Sequence, residues 1–243
     1  MAFIDRILEQ GIMRRWSRVA LEAEHIDPAL LRSLGKRARH LSLQLQRVTH
    51  TAELRLLPKA ALPRPLHADW AWRPELWSAP VTPAGLVSPE NGAGFGGEAK
   101  FFHDCPRGEY LVRQSRVTGG VPAFATDIEV FHFDGAFLSV AIDLPEAAVR
   151  GMSRAHILRI GLDLTMDHPV SCFGRLNVRH GPNVAQVVAA FGEADHVDLD
   201  LATAELDEER VSAAWIDLIF ERPAMNRFRI SDLTMSRRPR AEF

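Results

Sequence analysis

The chain has 243 residues, of which 47% are hydrophobic, and its net charge is −2. This composition predicts a globular protein with a full core, and it excludes a disordered or collagen-like chain. Two cysteines are too few for a disulfide-rich scaffold, and no apolar run is long enough for a transmembrane helix. The charge is uneven, because residues 1–64 carry 12 basic against 6 acidic residues and residues 65–243 carry 17 against 25.

The N-terminal stretch MAFIDRILEQ scatters charged residues among its apolar ones. A secretory signal needs a continuous apolar core and a cleavage site of small residues, and this stretch has neither. We therefore expect a cytoplasmic protein of a bacterium.

Residues 1–50 are predicted to form a helical hairpin. Apolar residues between Phe3 and Ala23 recur about every 3.6 positions, as on one face of a helix. The stretch HIDPALL then predicts a second helix, with Asp27 as its N-cap and Pro28 at its first position. This helix carries an apolar stripe with steps of three and four residues, formed by Leu31, Leu34, Ala38, Leu41, Leu45 and Val48. The stripe is typical of packing on a second helix, and a contact between two copies of the chain is the alternative.

Residues 51–98 are rich in proline, glycine and tryptophan and are predicted to be a connector. Pro58, Pro63 and Pro65 exclude a continued helix. Trp70, Trp72 and Trp77 carry a large apolar area, so we expect this segment to pack on the domain that follows.

From residue 99 the apolar residues alternate with polar ones, which is the period of a β-strand. About eight such segments with few helices between them predict an antiparallel β-sandwich over residues 99–243. Asp134-Gly135 indicates a turn between two strands. The apolar phase shifts after Ile230, which indicates a β-bulge near Ser231-Asp232. The terminal SRRPR, which includes Arg237, is expected to be a solvated tail.

Several long phrases of the sequence carry a resemblance: FFHDC, FHFDGAFLSVAIDLP, RLNVRHGPN and WIDLIFERPAMNRFRISDLTMSRRPRAEF. Over residues 66–243 the chain resembles an uncharacterised family of alphaproteobacterial proteins, a domain of unknown function. Its ending is also similar to galactose-binding-like jelly rolls. That resemblance implies a mainly β, jelly-roll-like sandwich and a tendency to bind carbohydrate.

If the apolar residues of each strand face the core, the intervening polar residues gather on the other face. We predict a ligand-binding set there, formed by Asp163, Arg175, Asn177, Arg179, Trp215 and Asp217. Amide, carboxylate and guanidinium groups bind sugar hydroxyls in fixed geometry, and an aromatic ring covers the apolar side of a sugar. The alternative is a solvated face on which opposite charges pair across strands.

A weaker candidate site combines two short stretches. His103 and Cys105 share one strand face, and His132 and Asp134 share another. Together they offer ligands suited to zinc, but the spacing matches no standard metal motif. The alternative is a buried cysteine, a hydrogen-bonded histidine and an Asp-Gly turn, and we expect neither a metal nor another cofactor. Cys105 and Cys172 are also the only thiols available to a nucleophilic enzyme.

Three functions follow from these features. The first is a non-enzymatic binding module for a saccharide-like ligand. The second is an assembly protein that forms homo-oligomers through its N-terminal helices. The third is a hydrolase on the same sandwich, with zinc as one option. The basic leader, with Arg14, Arg15 and Arg18 around Trp16, also suits peripheral contact with an anionic membrane. Nucleic acid is disfavoured as a partner, because the sandwich is acidic.

Overall fold

The structure, a computed structural model, describes residues 2–56, 62, 64–117 and 122–240. The chain divides into two compact units, one ending at Arg55 and the other beginning at Leu56. Pro58 and Pro63 of the predicted connector lie outside the described residues.

The N-terminal unit consists of two helices. Helix α1 spans Ala2–Glu22, a short 3-10 turn follows at Ala23–His25, and α2 spans Pro28–Leu56. The predicted N-cap is confirmed, since the carboxylate of Asp27 accepts hydrogen bonds from the backbone N–H groups of Ala29 and Leu30 at 2.9 and 3.2 Å. Among the described residues, no helix is long and apolar enough to cross a membrane.

The described part of the second unit contains thirteen strands, two short α-helices and two 3-10 turns. The helices are α3 (Glu75–Ser78) and α4 (Glu146–Val149). In chain order, the strands are β1 (Trp70–Trp72), β2 (Gly85–Val87), β3 (Ala93–Phe95), β4 (Ala99–His103), β5 (Tyr110–Arg116), β6 (Phe124–Val130), β7 (Phe137–Asp143), β8 (His156–Met166), β9 (Cys172–His180), β10 (Asn183–Ala190), β11 (His196–Asp200), β12 (Val211–Glu221) and β13 (Asn226–Pro239).

These strands form two antiparallel sheets. The seven-stranded sheet has the order β11-β8-β13-β6-β5-β2, and β1 pairs with the C-terminal part of β13. The six-stranded sheet has the order β10-β9-β12-β7-β4-β3. The predicted fold class, a mainly β antiparallel sandwich preceded by helices, is confirmed.

The core lies between the two sheets and follows the alternation of the sequence. Ile128 and Leu158 of the seven-stranded sheet are fully buried, as are Leu176, Ile216 and Leu218 of the six-stranded sheet. Burial of such side chains stabilises the fold by roughly 1.5–3 kcal/mol each, so the alternation fixes which face of each strand points inward.

Some boundaries differ from the prediction. The sheets begin before residue 99, because β1, β2 and β3 lie in the predicted connector and pair with β13, β5 and β4. Strand β10 was not predicted, since NVAQVVAA shows no apolar-polar alternation. The Asp134-Gly135 turn does not join paired strands: β6 and β7 lie in different sheets, so the turn carries the chain across the sandwich.

The predicted β-bulge is confirmed by a register shift in β13 between Ile230 and Asp232. Two side chains of the predicted connector form hydrogen bonds with the residues on either side of this bulge. Trp77 Nε1 donates to the Ile230 carbonyl at 2.9 Å, and the guanidinium of Arg73 donates two hydrogen bonds of 2.8 Å to the Asp232 carboxylate. The indole therefore satisfies a carbonyl at the point where the ladder is disrupted.

The expectation of a solvated tail at SRRPR is wrong, because β13 continues to Pro239. Arg237 is only 7% exposed. Its guanidinium donates to both carboxylate oxygens of Asp69 and to the carbonyls of Ala148 and Arg150, at 2.7–3.1 Å. A buried guanidinium is tolerated because its donors are satisfied in this way.

Candidate functional site

Four of the six predicted ligand-binding residues are neighbours on the outer face of the six-stranded sheet. The register of β9 and β12 places Arg175 opposite Asp217 and Asn177 opposite Trp215. Leu176, which lies between Arg175 and Asn177 in β9, is fully buried in the core. The alternating residues therefore point away from the core, as the sequence predicts.

A hydrogen-bond network joins the polar members of this group. Asp217 Oδ2 accepts from Arg175 Nε, Arg175 Nη2 and Asn177 Nδ2, each at 2.8 Å. Asn177 Oδ1 in turn accepts from Gln186 Nε2 at 2.9 Å. We call Arg175, Asn177, Gln186 and Asp217 the Asp217 cluster. Asn177 and Asp217 are only 1% and 4% exposed, although they lie on the outer face. Their mutual hydrogen bonds compensate the loss of water.

Trp215 and Arg179 flank the cluster. The guanidinium carbon of Arg179 lies 5.8 Å from the centre of the Trp215 ring, within range of a cation–π contact. Trp215 is partly exposed, and Arg179 is exposed. In the described part of the chain, Arg179 forms no ion pair, so its donors are available to a ligand.

The sixth predicted residue, Asp163, does not join this group, and its assignment to the same face is wrong. Asp163 lies in β8 of the seven-stranded sheet, opposite Asp232 of β13. The outer faces of the two sheets point to opposite sides of the sandwich. Arg159 and Asp198 lie on this other sheet and form a pair with hydrogen bonds of 2.7 and 2.8 Å. Here the alternative of charges paired across strands is confirmed.

Two polar residues of the six-stranded sheet, Gln186 and Ser139, were not predicted as site residues. Gln186 lies directly opposite Asn177 in the β9–β10 hairpin. Ser139 lies in β7, two residues from Ala141, the partner of Asp217. Its buried hydroxyl has no hydrogen-bond partner among the described residues. The sequence signal for Gln186 was the turn at Gly181, which has a φ of +59°. This turn pairs His180 with Asn183, and the same register places Gln186 opposite Asn177.

The whole chain matches the model of one protein family. The model of a family of unknown function, DUF6478, matches residues 1–243. The chain belongs to this family. The match includes the helical leader, which the resemblance seen in the sequence did not cover. No curated protein matches this DUF6478 chain.

Solved structures similar to the DUF6478 chain include carbohydrate-binding modules. The family 11 carbohydrate-binding module of cellulosomal cellulase Lic26A-Cel5E of Clostridium thermocellum has a TM-score of 0.40 and 10% identity, covering 65% of this chain and 95% of that one. TmCBM27, a carbohydrate-binding module with specific mannan recognition, has a TM-score of 0.33 and 12% identity, and the match covers 57% of this chain and 88% of that one. The enzymatically active domain of tailspike protein 4 of bacteriophage CBA120 has a TM-score of 0.39 and 7% identity, and the match covers 61% of this chain and 21% of that one.

The structure does not assemble the predicted zinc ligands. His103 Nε2 lies 3.3 Å from the Pro89 carbonyl, and its ring packs edge-on against Tyr110. His132 and Asp134 form an exposed pair at 3.0 Å, and Cys105 Sγ accepts a hydrogen bond from the Asp134 N–H. Within residues 2–56, 62, 64–117 and 122–240, no three such side chains are close enough to hold a metal ion.

The cysteines are poorly suited to nucleophilic chemistry. Cys105 and Cys172 are both free and buried. Burial raises the pKa of the Cys172 thiol to about 12. This thiol is therefore protonated at neutral pH, whereas the thiolate is the nucleophile.

Proposed function

We propose that this DUF6478 protein is a non-enzymatic module that binds a polar, saccharide-like ligand on the outer face of the six-stranded sheet. The observation that carries the proposal is the Asp217 cluster beside the partly exposed ring of Trp215. A partly buried polar network holds donors and acceptors in fixed positions, and an aromatic ring next to them gives the apolar contact that a sugar ring requires.

Each side chain has a distinct role in this proposal. Asp217 Oδ1 and Gln186 Oε1 accept no hydrogen bond from the described residues, so both are acceptors for ligand hydroxyls. The guanidinium groups of Arg175 and Arg179 are donors. Trp215, which is partly exposed, stacks against the sugar ring. The arrangement contains both kinds of hydrogen-bonding group, which suits a ligand whose hydroxyls donate and accept.

Binding to soluble polysaccharides tests this function. We expect wild-type protein to bind at least one member of a panel of glucans, mannans and galactans, measured by calorimetry or by retardation in affinity gels. Trp215→Ala should weaken this binding about tenfold or more, because a sugar on the indole buries apolar area worth roughly 1.5–3 kcal/mol. Arg175→Ala should also weaken it, because the variant loses a donor and releases Asp217 from its fixed position.

Two matched variants separate this surface from the rest of the sandwich. Arg175→Lys keeps the positive charge but loses the planar fork, so we expect partial loss of binding. Asp163→Ala lies on the other sheet and should bind like wild type. Failure of wild type to bind any member of the panel, or equal binding by Trp215→Ala and Arg175→Ala, would contradict the proposal.

A second candidate function is assembly through the N-terminal helices. The apolar stripe of α2 leaves Leu45 57% exposed and Val48 67% exposed. Apolar residues at this spacing are typical of a surface that pairs with another helix. We propose that two copies of the chain associate along this stripe.

Light scattering tests the assembly function. We expect the full-length chain to form an oligomer, and the double variant Leu45→Glu with Val48→Glu to be monomeric, because a charge in an apolar seam opposes pairing. Gln44→Glu adds one charge to an exposed position of the same helix and should keep the oligomer. A monomeric wild-type chain contradicts this function and leaves the saccharide proposal untouched.

A further inference from the structure

One segment of the seven-stranded sheet has a strand edge that no described residue pairs with. Strand β11 pairs with β8 only over residues 157–161. The last backbone contact on this side is Leu162 N–H to the Asp195 carbonyl at 2.7 Å. Residues 163–166 of β8 extend beyond β11, and they pair with β13 on their other side only.

The direction of the free backbone groups follows from the antiparallel ladder. Asp167 N–H donates to the Arg227 carbonyl of β13 at 3.1 Å. In an antiparallel ladder, successive residues direct their backbone N–H and C=O to opposite sides of the strand. Those of Thr165 therefore point toward β13, and those of Leu164 point to the other side. Among the described residues, no backbone partner lies on that side of Leu164. Its N–H and C=O form a short template for an added strand.

A cavity of about 600 Å³, lined by both apolar and acidic side chains, adjoins this edge. It lies where the chain crosses between the sheets, beside the segments that join β8 to β9 and β10 to β11. Its volume is in the range of roughly 300–1,000 Å³ found for ligand pockets. The apolar side chains that line it and are only partly buried are Leu164, Met166, Val170 and Phe191.

The mouth of the cavity is acidic. Asp163, Glu193 and Asp195 belong to the lining and are exposed, and no lysine or arginine is part of the described lining. Asp195 contacts His196 Nδ1 at 2.9 Å. In the part of the chain that the structure describes, Asp163 and Glu193 form no ion pair. A ligand that fits here therefore combines apolar groups with positive charge.

We propose that residues 163–166 bind an extended peptide segment of a partner protein, in which apolar and basic residues alternate, as an added strand of the seven-stranded sheet. The backbone of this segment pairs with the N–H and C=O of Leu164. Side chains of an added strand alternate between two faces, so its apolar residues enter the cavity and its basic residues lie beside Asp163 on the outer face.

The charge of this edge argues against a second copy of the chain as the occupant. Two copies that paired through β8 would bring Asp163 and the acidic mouth of one copy against the same residues of the other. Like charges across paired strands are destabilising, whereas lysine or arginine opposite Asp163 is stabilising. This site lies on the sheet opposite to the Asp217 cluster and does not depend on the saccharide proposal.

The probe for this site is a short, fluorescein-labelled peptide with blocked ends, in which leucine and lysine alternate. We expect it to bind the full-length chain, measured by fluorescence anisotropy. A peptide of the same composition with its leucines grouped together should bind weakly. The alternating peptide methylated on the backbone nitrogens that face β8 should not bind, because it cannot donate to the strand edge. Hydrogen exchange of the Leu164 amide should slow in the complex.

The protein variants use the same assay. Asp163→Lys should weaken binding of the alternating peptide about tenfold, since an attractive cross-strand pair becomes repulsive. Glu205→Lys makes the same charge change at an exposed position away from the cavity lining and should have little effect. The inference is overturned if wild type does not bind the alternating peptide, if the methylated and grouped peptides bind equally well, or if Asp163→Lys binds like wild type.

Discussion

We expect Trp77→Ala to lower the free energy of unfolding of the sandwich by about 3–5 kcal/mol, the range for removing a large buried aromatic side chain. Trp77 lies in helix α3 and is fully buried in the core, next to the bulge in β13. The variant loses apolar contacts and also leaves the Ile230 carbonyl without its 2.9 Å hydrogen bond. Denaturant unfolding followed by near-ultraviolet circular dichroism measures the loss.

Two variants show which part of Trp77 matters. Trp77→Phe keeps most of the apolar volume but loses the indole N–H, so it should cost about 1–3 kcal/mol. Trp215→Ala removes the same side chain from the partly exposed outer face and should cost far less stability. A Trp77→Ala variant that is as stable as Trp215→Ala would contradict the role of Trp77 as an anchor of the connector.

The sheet architecture was predictable because burial on one face leaves a period of two in the sequence. Leu176 and Ile216 show that period and lie in the core. The bulge at Ile230 was predictable for the same reason, since an extra residue shifts the apolar phase by one position. These features depend only on local order along each strand.

Sheet membership was not predictable in this way. The period shows which face of a strand points inward but not which of two sheets the strand joins. Asp163 and Arg175 both point outward, yet they lie on opposite sides of the sandwich because β8 and β9 belong to different sheets. The predicted grouping was therefore correct within β9 and β12, where the residues are neighbours, and wrong for the residue on β8. That this group binds a ligand stays a prediction.

Buried charged residues were the hardest to predict. Arg237 was expected in solvent, because a run of arginines near the end of a chain is typical of an exposed tail. It is buried because Asp69, which is far away in sequence, and the carbonyls near α4 satisfy its guanidinium. Partners of this kind are set by the tertiary fold and leave no periodic pattern. The same holds for Asp127, which the sequence analysis did not single out.

Asp127 is a buried carboxylate on the outer face of the seven-stranded sheet. It is 1% exposed, and it accepts hydrogen bonds from Ser115 Oγ at 2.8 Å and from Arg229 Nη1 at 2.8 and 3.1 Å. Burial alone would raise its pKa, but the hydrogen bonds from Ser115 and Arg229 and the charges of Arg229 and Arg227 outweigh that effect and lower the pKa. The ionised form is therefore the one that the fold stabilises.

Asp127→Asn should lower the free energy of unfolding at neutral pH by about 1.5–3 kcal/mol, the range for a hydrogen bond to a charged group. The side chain keeps its size but no longer neutralises the nearby arginines. Asp143→Asn is the matched control, because Asp143 pairs with Lys100 at 3.1 Å while both side chains are at least half exposed. That change should cost less than about 1 kcal/mol.

The pH dependence separates lost charge from lost packing. The pKa of Asp127 is lower in the folded chain than in the unfolded chain, where it is about 3.9. Its ionisation therefore stabilises the fold above that pH, and the contribution disappears as the pH falls through the folded value. The stability difference between wild type and Asp127→Asn should be constant near neutral pH and should shrink on acidification below about pH 4. A difference that stays the same across this range would mean that the asparagine disturbs packing, and that the charge of Asp127 does not stabilise the sandwich.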